Sequence, residues 1–109
     1  MKTLLSAITL SSCFAFSANA GYINGSVLKS MSIAPVSESA HLQYVGYVIG
    51  VIDSDQQRTI CVDVPGNALT PVLEAVKNYL AANPNKLNDS GNSLVIKALM
   101  PLYACKHTD

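Results

Sequence analysis

The chain has 109 residues, half of them apolar and only 13% charged, with seven basic residues balancing seven acidic ones. Zero net charge with no basic or acidic run leaves no electrostatic footprint for nucleic acid and no solvated, disordered tail. The length admits one small domain, and there is no internal repeat or low-complexity stretch.

The first twenty residues read as an address. Lys2 opens them, residues 4–16 form an uncharged, largely apolar run, and Ala18-Asn19-Ala20 sets small residues at the two positions a signal peptidase reads. This is the pattern of a cleaved secretory leader, cut after Ala20, which leaves a domain over residues 21–109. The competing readings are a membrane anchor, for which the run is too short, and lipid attachment at Cys13 in Leu10-Ser11-Ser12-Cys13. The apolar run passes Cys13 and reaches the better cleavage site beyond it. No later stretch is long enough to span a membrane, so none is expected after cleavage. Without the leader, six basic residues face seven acidic ones, and three cysteines become two, Cys61 and Cys105. An even pair in a small exported domain reads as a disulfide. A loop of that span contributes ~4 kcal/mol in the chain-entropy treatment. The alternatives are two free thiols or a zinc site, for which His41 and His107 lack ligand spacing.

Four helical stretches follow in order. The first covers about residues 24–33, with Val27, Leu28 and Met31 on one face and Pro35 beyond its end. The second covers about 38–52. Leu42, Val45, Ile49 and Ile52 follow the helical period as its buried stripe, widened by Val48. Gly46 and Gly50 lie one turn apart on another face. Two glycines inside a helix cost about 1 kcal/mol each relative to alanine, so they mark close approach of a second helix, either within this chain or from a partner subunit. A polar link over residues 53–69 contains alternation around 60–64 that suits a short strand with nothing to pair with, then the Pro65-Gly66 turn. The third helix takes Thr70 as its cap and Pro71 as its first residue. Val72, Ala75, Val76, Tyr79 and Leu80 form its stripe, and Asn83-Pro84 stop it. The fourth begins at Asp89 or Ser90 and buries Leu94, Val95, Ala98, Leu99 and Leu102; Pro101 predicts a kink or an end. The class is all-α, a small bundle of about four helices stapled by one disulfide.

Nothing in this pattern carries catalysis. No serine sits in a glycine-flanked strand-to-helix turn, and no glycine loop is built for phosphate. Asp53 and Asp55 lie two apart in the link, but the calcium-loop rhythm and its closing glutamate are missing. The sequence therefore predicts a binding protein with no enzymatic activity, metal or cofactor.

Together, Tyr44-Val45-Gly46-Tyr47-Val48-Ile49-Gly50-Val51-Ile52-Asp53, Ile60-Cys61-Val62 with Pro65-Gly66, Thr70, Val76-Lys77-Asn78-Tyr79-Leu80 with Asn83-Pro84, and Leu94-Val95 with Ala98-Leu99 and Cys105 form an ordered series. In order and spacing, over about residues 24–105, the chain resembles the Rap/Tai family of type VI secretion immunity proteins. The resemblance implies a mostly helical, dimeric periplasmic protein that covers the active-site groove of a peptidoglycan-cutting amidase effector. Family members often carry two further cysteines, and the matching positions here are Met31 and Tyr44. Losing both together removes a second disulfide and leaves a methionine–tyrosine pair that suits packing. The chain is also similar in size, export and helical class to HdeA-type acid-stress chaperones, which carry more charge and a Trp-Thr-Cys segment absent here. For an effector-binding surface the first candidate is the link between the third and fourth helices, Asn83, Asn85, Lys86, Leu87, Asn88, Asp89 and Ser90. Leu87 there is either an apolar anchor for the partner or tucked into the bundle. The competing surface is residues 53–58, with Asp53, Asp55 and Arg58.

Overall fold

The computed structural model describes residues 23–63 and 68–106; the expected leader and Cys13 lie outside them, as do the expected turn at Pro65-Gly66 and His107. Helix α1, Gly25–Ser32, begins where the Asn24 side chain accepts a hydrogen bond from the Val27 amide, satisfying a donor that has no partner within the helix. Leu28 and Met31 face inward, whereas Val27 lies half exposed at its rim.

Helix α2, Ser39–Asp55, runs three residues beyond the expected end and buries a different face. Tyr44, Val48 and Val51 point into the core, Ile52 and Val45 lie at its margin, and Leu42 is 68% exposed. The helix is apolar on two faces, so periodicity alone does not choose between them. The choice falls to the face carrying Tyr44, whose buried hydroxyl donates to the Leu73 carbonyl oxygen at 2.7 Å. Met31 and Tyr44 are both buried in the common core.

Helix α3, Leu69–Ala82, starts two residues earlier than expected, with Ala68 at the cap and no side-chain cap bond. Thr70 and Pro71 therefore sit inside the first turn, where a missing N–H still removes no intrahelical bond. Val72, Val76 and Leu80 are buried, with Ala75 and Tyr79 beside them. After a short 3-10 turn, Pro84–Lys86, helix α4 spans Gly91–Tyr103 under a cap in which Ser90 Oγ accepts from the Ser93 amide. It ends two residues after Pro101. Leu94, Val95, Ala98 and Leu99 are buried, but Leu102 is 66% exposed, because the last turn leads the chain out of the bundle toward the link.

The described residues thus form four helices, with α3 packed on α4, α1 on α2, and one core of aliphatic side chains and Tyr44 between them. Among the described residues no buried side-chain nitrogen or oxygen lacks a hydrogen-bond partner. The segment at Ile60 does find a pairing partner: an isolated antiparallel bridge joins it to Ala104. Cys61 N donates to Tyr103 O at 2.7 Å and Cys105 N to Thr59 O at 3.1 Å. The Cys61–Cys105 disulfide closes over that bridge, as the paired cysteines predict.

Candidate functional site

The link over residues 83–90 is built from both of its ends. The Asn83 side chain donates to the Tyr79 carbonyl at 2.8 Å, closing α3. Lys86 N donates to Asn83 O and Asp89 N to Lys86 O, each at 3.0 Å, which folds the link into two consecutive turns. The start of α1 then straps it down. Ser26 N donates to Leu87 O and Gly25 N to Asp89 O, both at 3.0 Å, Gly91 N donates to Ile23 O at 2.7 Å, and Asn24 and Ser90 form an isolated antiparallel bridge. Asn85, Lys86, Asn88, Asp89 and Ser90 face outward. Leu87 is half-buried and packs against the core. A cavity of about 390 Å³, lined by Ile23, Asn24, Val27, Asn88 and Ser90, opens beside the strap.

Two glycines make this strap possible. A Cβ on Gly25 would stand 2.8 Å from Leu87 Cα and 2.5 Å from Leu94 Cδ1, and one on Gly91 would stand 2.8 Å from Tyr47 Oη and 3.1 Å from Ile23 O. Sequence reasoning passed over both. The available signal was their parallel context, a capping residue followed by glycine in Asn24-Gly25 and again in Ser90-Gly91, the two sides of one crossing of the chain. Burial pushes the Tyr47 phenol up from its usual range, with an opposing backbone hydrogen bond at Asn92; burial likewise raises Tyr44.

The 53–58 surface lies at the other end of α4. Helix α2 stops as Gln56 takes a left-handed conformation, φ 52°, followed by Gln57 at φ 59°. Asp55 Oδ2 accepts from the amides of Arg58, Thr59 and Ile60 at 3.0–3.1 Å. Those N–H groups, Thr59 first, hold the Asp55 carboxyl below the usual carboxylate range. That oxygen is thus committed to the backbone. Among the described residues no group of three or more His, Cys, Asp or Glu side chains is arranged to hold a metal ion. Arg58 Nη2 donates to Gln56 Oε1 at 3.1 Å, and Asp53 is exposed. A cavity of about 230 Å³ lies beneath, lined in part by Ile52, Gln56, Gln57 and Ile60. The two candidate surfaces are therefore separate, one at each end of α4.

Gly46 and Gly50 correct one of the two readings of the small-residue ridge. Among the described residues nothing lies within 4 Å of a Cβ built at either position, so no described helix approaches them. They stand on the outer face of α2, beside exposed Leu42 and partly exposed Ile49.

No curated protein matches the chain. A family model described as Rap1a immunity proteins matches residues 24–105, from the cap of α1 to the second cysteine of the disulfide. That match spans all four helices, both bridges and both candidate surfaces, and this chain belongs to the Rap1a family of immunity proteins.

Proposed function

We propose that the chain is a periplasmic immunity protein that binds a peptidoglycan amidase delivered by type VI secretion and blocks it by covering its active-site groove. The observation that carries this reading is family membership across the whole described bundle. The leader pattern of residues 1–20 supports export, and no described helix is long and apolar enough to cross a membrane. The leading contact surface is the 83–90 link. Its exposed amides, Lys86 and Asp89 stand on a backbone already fixed by two helix ends and the α1 strap, so little ordering is lost on binding. Leu87 braces this surface from the bundle side, and Asn83 braces it through α3.

The protein acts as a homodimer through the outer face of α2. A helix that is apolar all round is ordinarily covered on both sides. Gly46 and Gly50 leave a flat ridge between Leu42 and Ile49 onto which the same face of a second copy can close. The test is co-purification of the exported chain with the amidase-like product of a neighbouring gene, its catalytic cysteine replaced, together with protection of cells that express the active effector. Stable co-purification and survival are expected. Failure of both, with a folded immunity protein in the periplasm, overturns the reading.

A further inference from the structure

Asn24-Gly25 is the one Asn-Gly step in the sequence. Such a step loses side-chain ammonia readily when its backbone is free. The nitrogen of the following residue attacks the asparagine side-chain carbonyl, and a glycine there has no Cβ to shield that nitrogen or to keep it from turning inward. In the folded chain both reacting groups are held elsewhere. Asn24 Oδ1 accepts from the Val27 amide at 3.1 Å, and the Gly25 N–H donates to Asp89 O at 3.0 Å. A third bond, from Gly91 N to Ile23 O at 2.7 Å, fixes the backbone on the other side of Asn24. The main chain is therefore anchored immediately before and immediately after this one residue. Asn24 itself is exposed, so water reaches it.

We propose that Asn24-Gly25 is a deamidation site gated by the strap: it stays intact while α1 is bonded to the 83–90 link, and converts irreversibly once that strap opens. The chemistry needs only water. The Gly25 nitrogen bonds to Asn24 Cγ, the bond from Cγ to the side-chain nitrogen breaks, and ammonia leaves with the proton that Gly25 gives up. Water then opens the cyclic imide. Where it adds at Cγ, aspartate results with the original backbone. Where it adds at the main-chain carbonyl carbon, the chain runs on through Cβ and Cγ, and isoaspartate results with an extra methylene in the backbone. The fold accepts these two products differently. Aspartate caps a helix as well as asparagine does and keeps the register. Isoaspartate inserts an atom between the Ile23 and Gly25 anchors, whose bonds to Gly91 and Asp89 are set by the length of an ordinary residue. There is no slack to absorb it, since a Cβ on Gly25 would already stand 2.8 Å from Leu87 Cα. A chain that has opened and become isoaspartyl cannot rebuild the strap. This holds whatever the 83–90 link binds.

The test follows ammonia loss by mass spectrometry, with peptide mapping to place it. It compares the folded chain, the same chain unfolded in guanidinium chloride, and folded Gly91→Ala, all at one mildly alkaline pH. A reaction that needs local opening runs in proportion to the open fraction. The folded chain is therefore expected to convert at Asn24 at least about tenfold more slowly than the unfolded one, with Gly91→Ala in between. Hydrogen exchange at the Gly25 and Ser26 amides, measured on each product after refolding, reads the strap. The aspartyl form and an Asn24→Asp variant are expected to protect both amides as the wild type does. The isoaspartyl form is expected to lose both while α3 stays protected. Equal rates in folded and unfolded chains, faster conversion at another asparagine of the unfolded chain, or an isoaspartyl form with both amides protected overturns the proposal.

Discussion

Each end of α4 is held by an isolated β-bridge, and the two are built by opposite means. At its start, Asn24 meets Ser90 through main-chain bonds, two side-chain caps and two glycines that let the backbones touch. At its finish, Ile60 meets Ala104 under a disulfide, beside a turn held by one carboxylate. The difference teaches where close packing is enough. Two helices starting side by side can hold a crossing with no covalent help, because each carries its own nucleus of hydrogen bonds. A link with two buried aliphatic residues, Ile60 and Val62, and no helix of its own is instead closed by sulfur.

Breaking the covalent end has the largest expected effect. Replacing both cysteines by serine should lower stability by ~4 kcal/mol, read as a shift in the denaturant midpoint. A loss under ~1 kcal/mol would mean that the isolated bridge suffices by itself. The packed end comes next. Gly25→Ala places a methyl against Leu87 Cα, which as main chain cannot swing away, and should cost about 1–3 kcal/mol. Gly91→Ala should cost less, since the nearer of its two obstacles is the movable Tyr47 hydroxyl. Equal costs would show that the strap is looser than its distances state.

The surfaces carried by the two ends can be separated by binding. The combined Lys86→Ala, Leu87→Ala and Asp89→Ala variant should lose at least ~1.4 kcal/mol of effector affinity, a tenfold change, while remaining folded. Full protection of cells by that variant would move the leading contact to the 53–58 end. On α2, Gly46→Ala should raise the stability of an isolated monomer by up to ~1 kcal/mol, because its Cβ meets open space. If the outer face is a dimer contact, the same change should weaken the dimer in sedimentation experiments. A monomer at micromolar concentration in the wild type would remove the dimer from the proposal.

The smallest effect is with pH. The amides that clamp the turn depress the Asp55 carboxyl below its ordinary value of 3.8. Its contribution is complete above that unfolded value and is lost as the pH falls through the lower folded one. Amide protection at residues 58–60 should therefore hold to about pH 4 and fade below it, before the helices melt. Uniform loss across the whole chain at that pH would instead place it nearer the acid-stress chaperones.

Much of this was legible in the chain. Ser90 was one of the two starts expected for the fourth helix, Asn83-Pro84 announced the end of α3, and an even pair of cysteines beyond the leader pattern announced their bond. The buried face of α2 was not legible, because Leu42 and Ile49 satisfy the helical period as well as Tyr44, Val48 and Val51 do. What decides between the faces is a hydrogen bond to Leu73, a residue 29 positions away. The glycines misled for a related reason. A glycine states that a side chain is absent, not what occupies the space. Gly25 and Gly91 make room for Leu87, Ile23 and Tyr47, whereas Gly46 and Gly50 make room for nothing among the described residues. The pairing of Ile60 was hidden because its partner, Ala104, lies just past a helix and belongs to no strand pattern.

The two bridges also set a timetable. One joins residue 24 to residue 90 and the other residue 60 to residue 104, so both wait for α4. Until that helix emerges, α1 has no strap, the link has no anchor, and the inner faces of α2 and α3 lack the aliphatic side chains that cover them. Contacts this far apart in sequence form late, since their loops must close before they are rewarded. A nascent chain of this design stays open along most of its length during synthesis, a state that fits the export proposed for it.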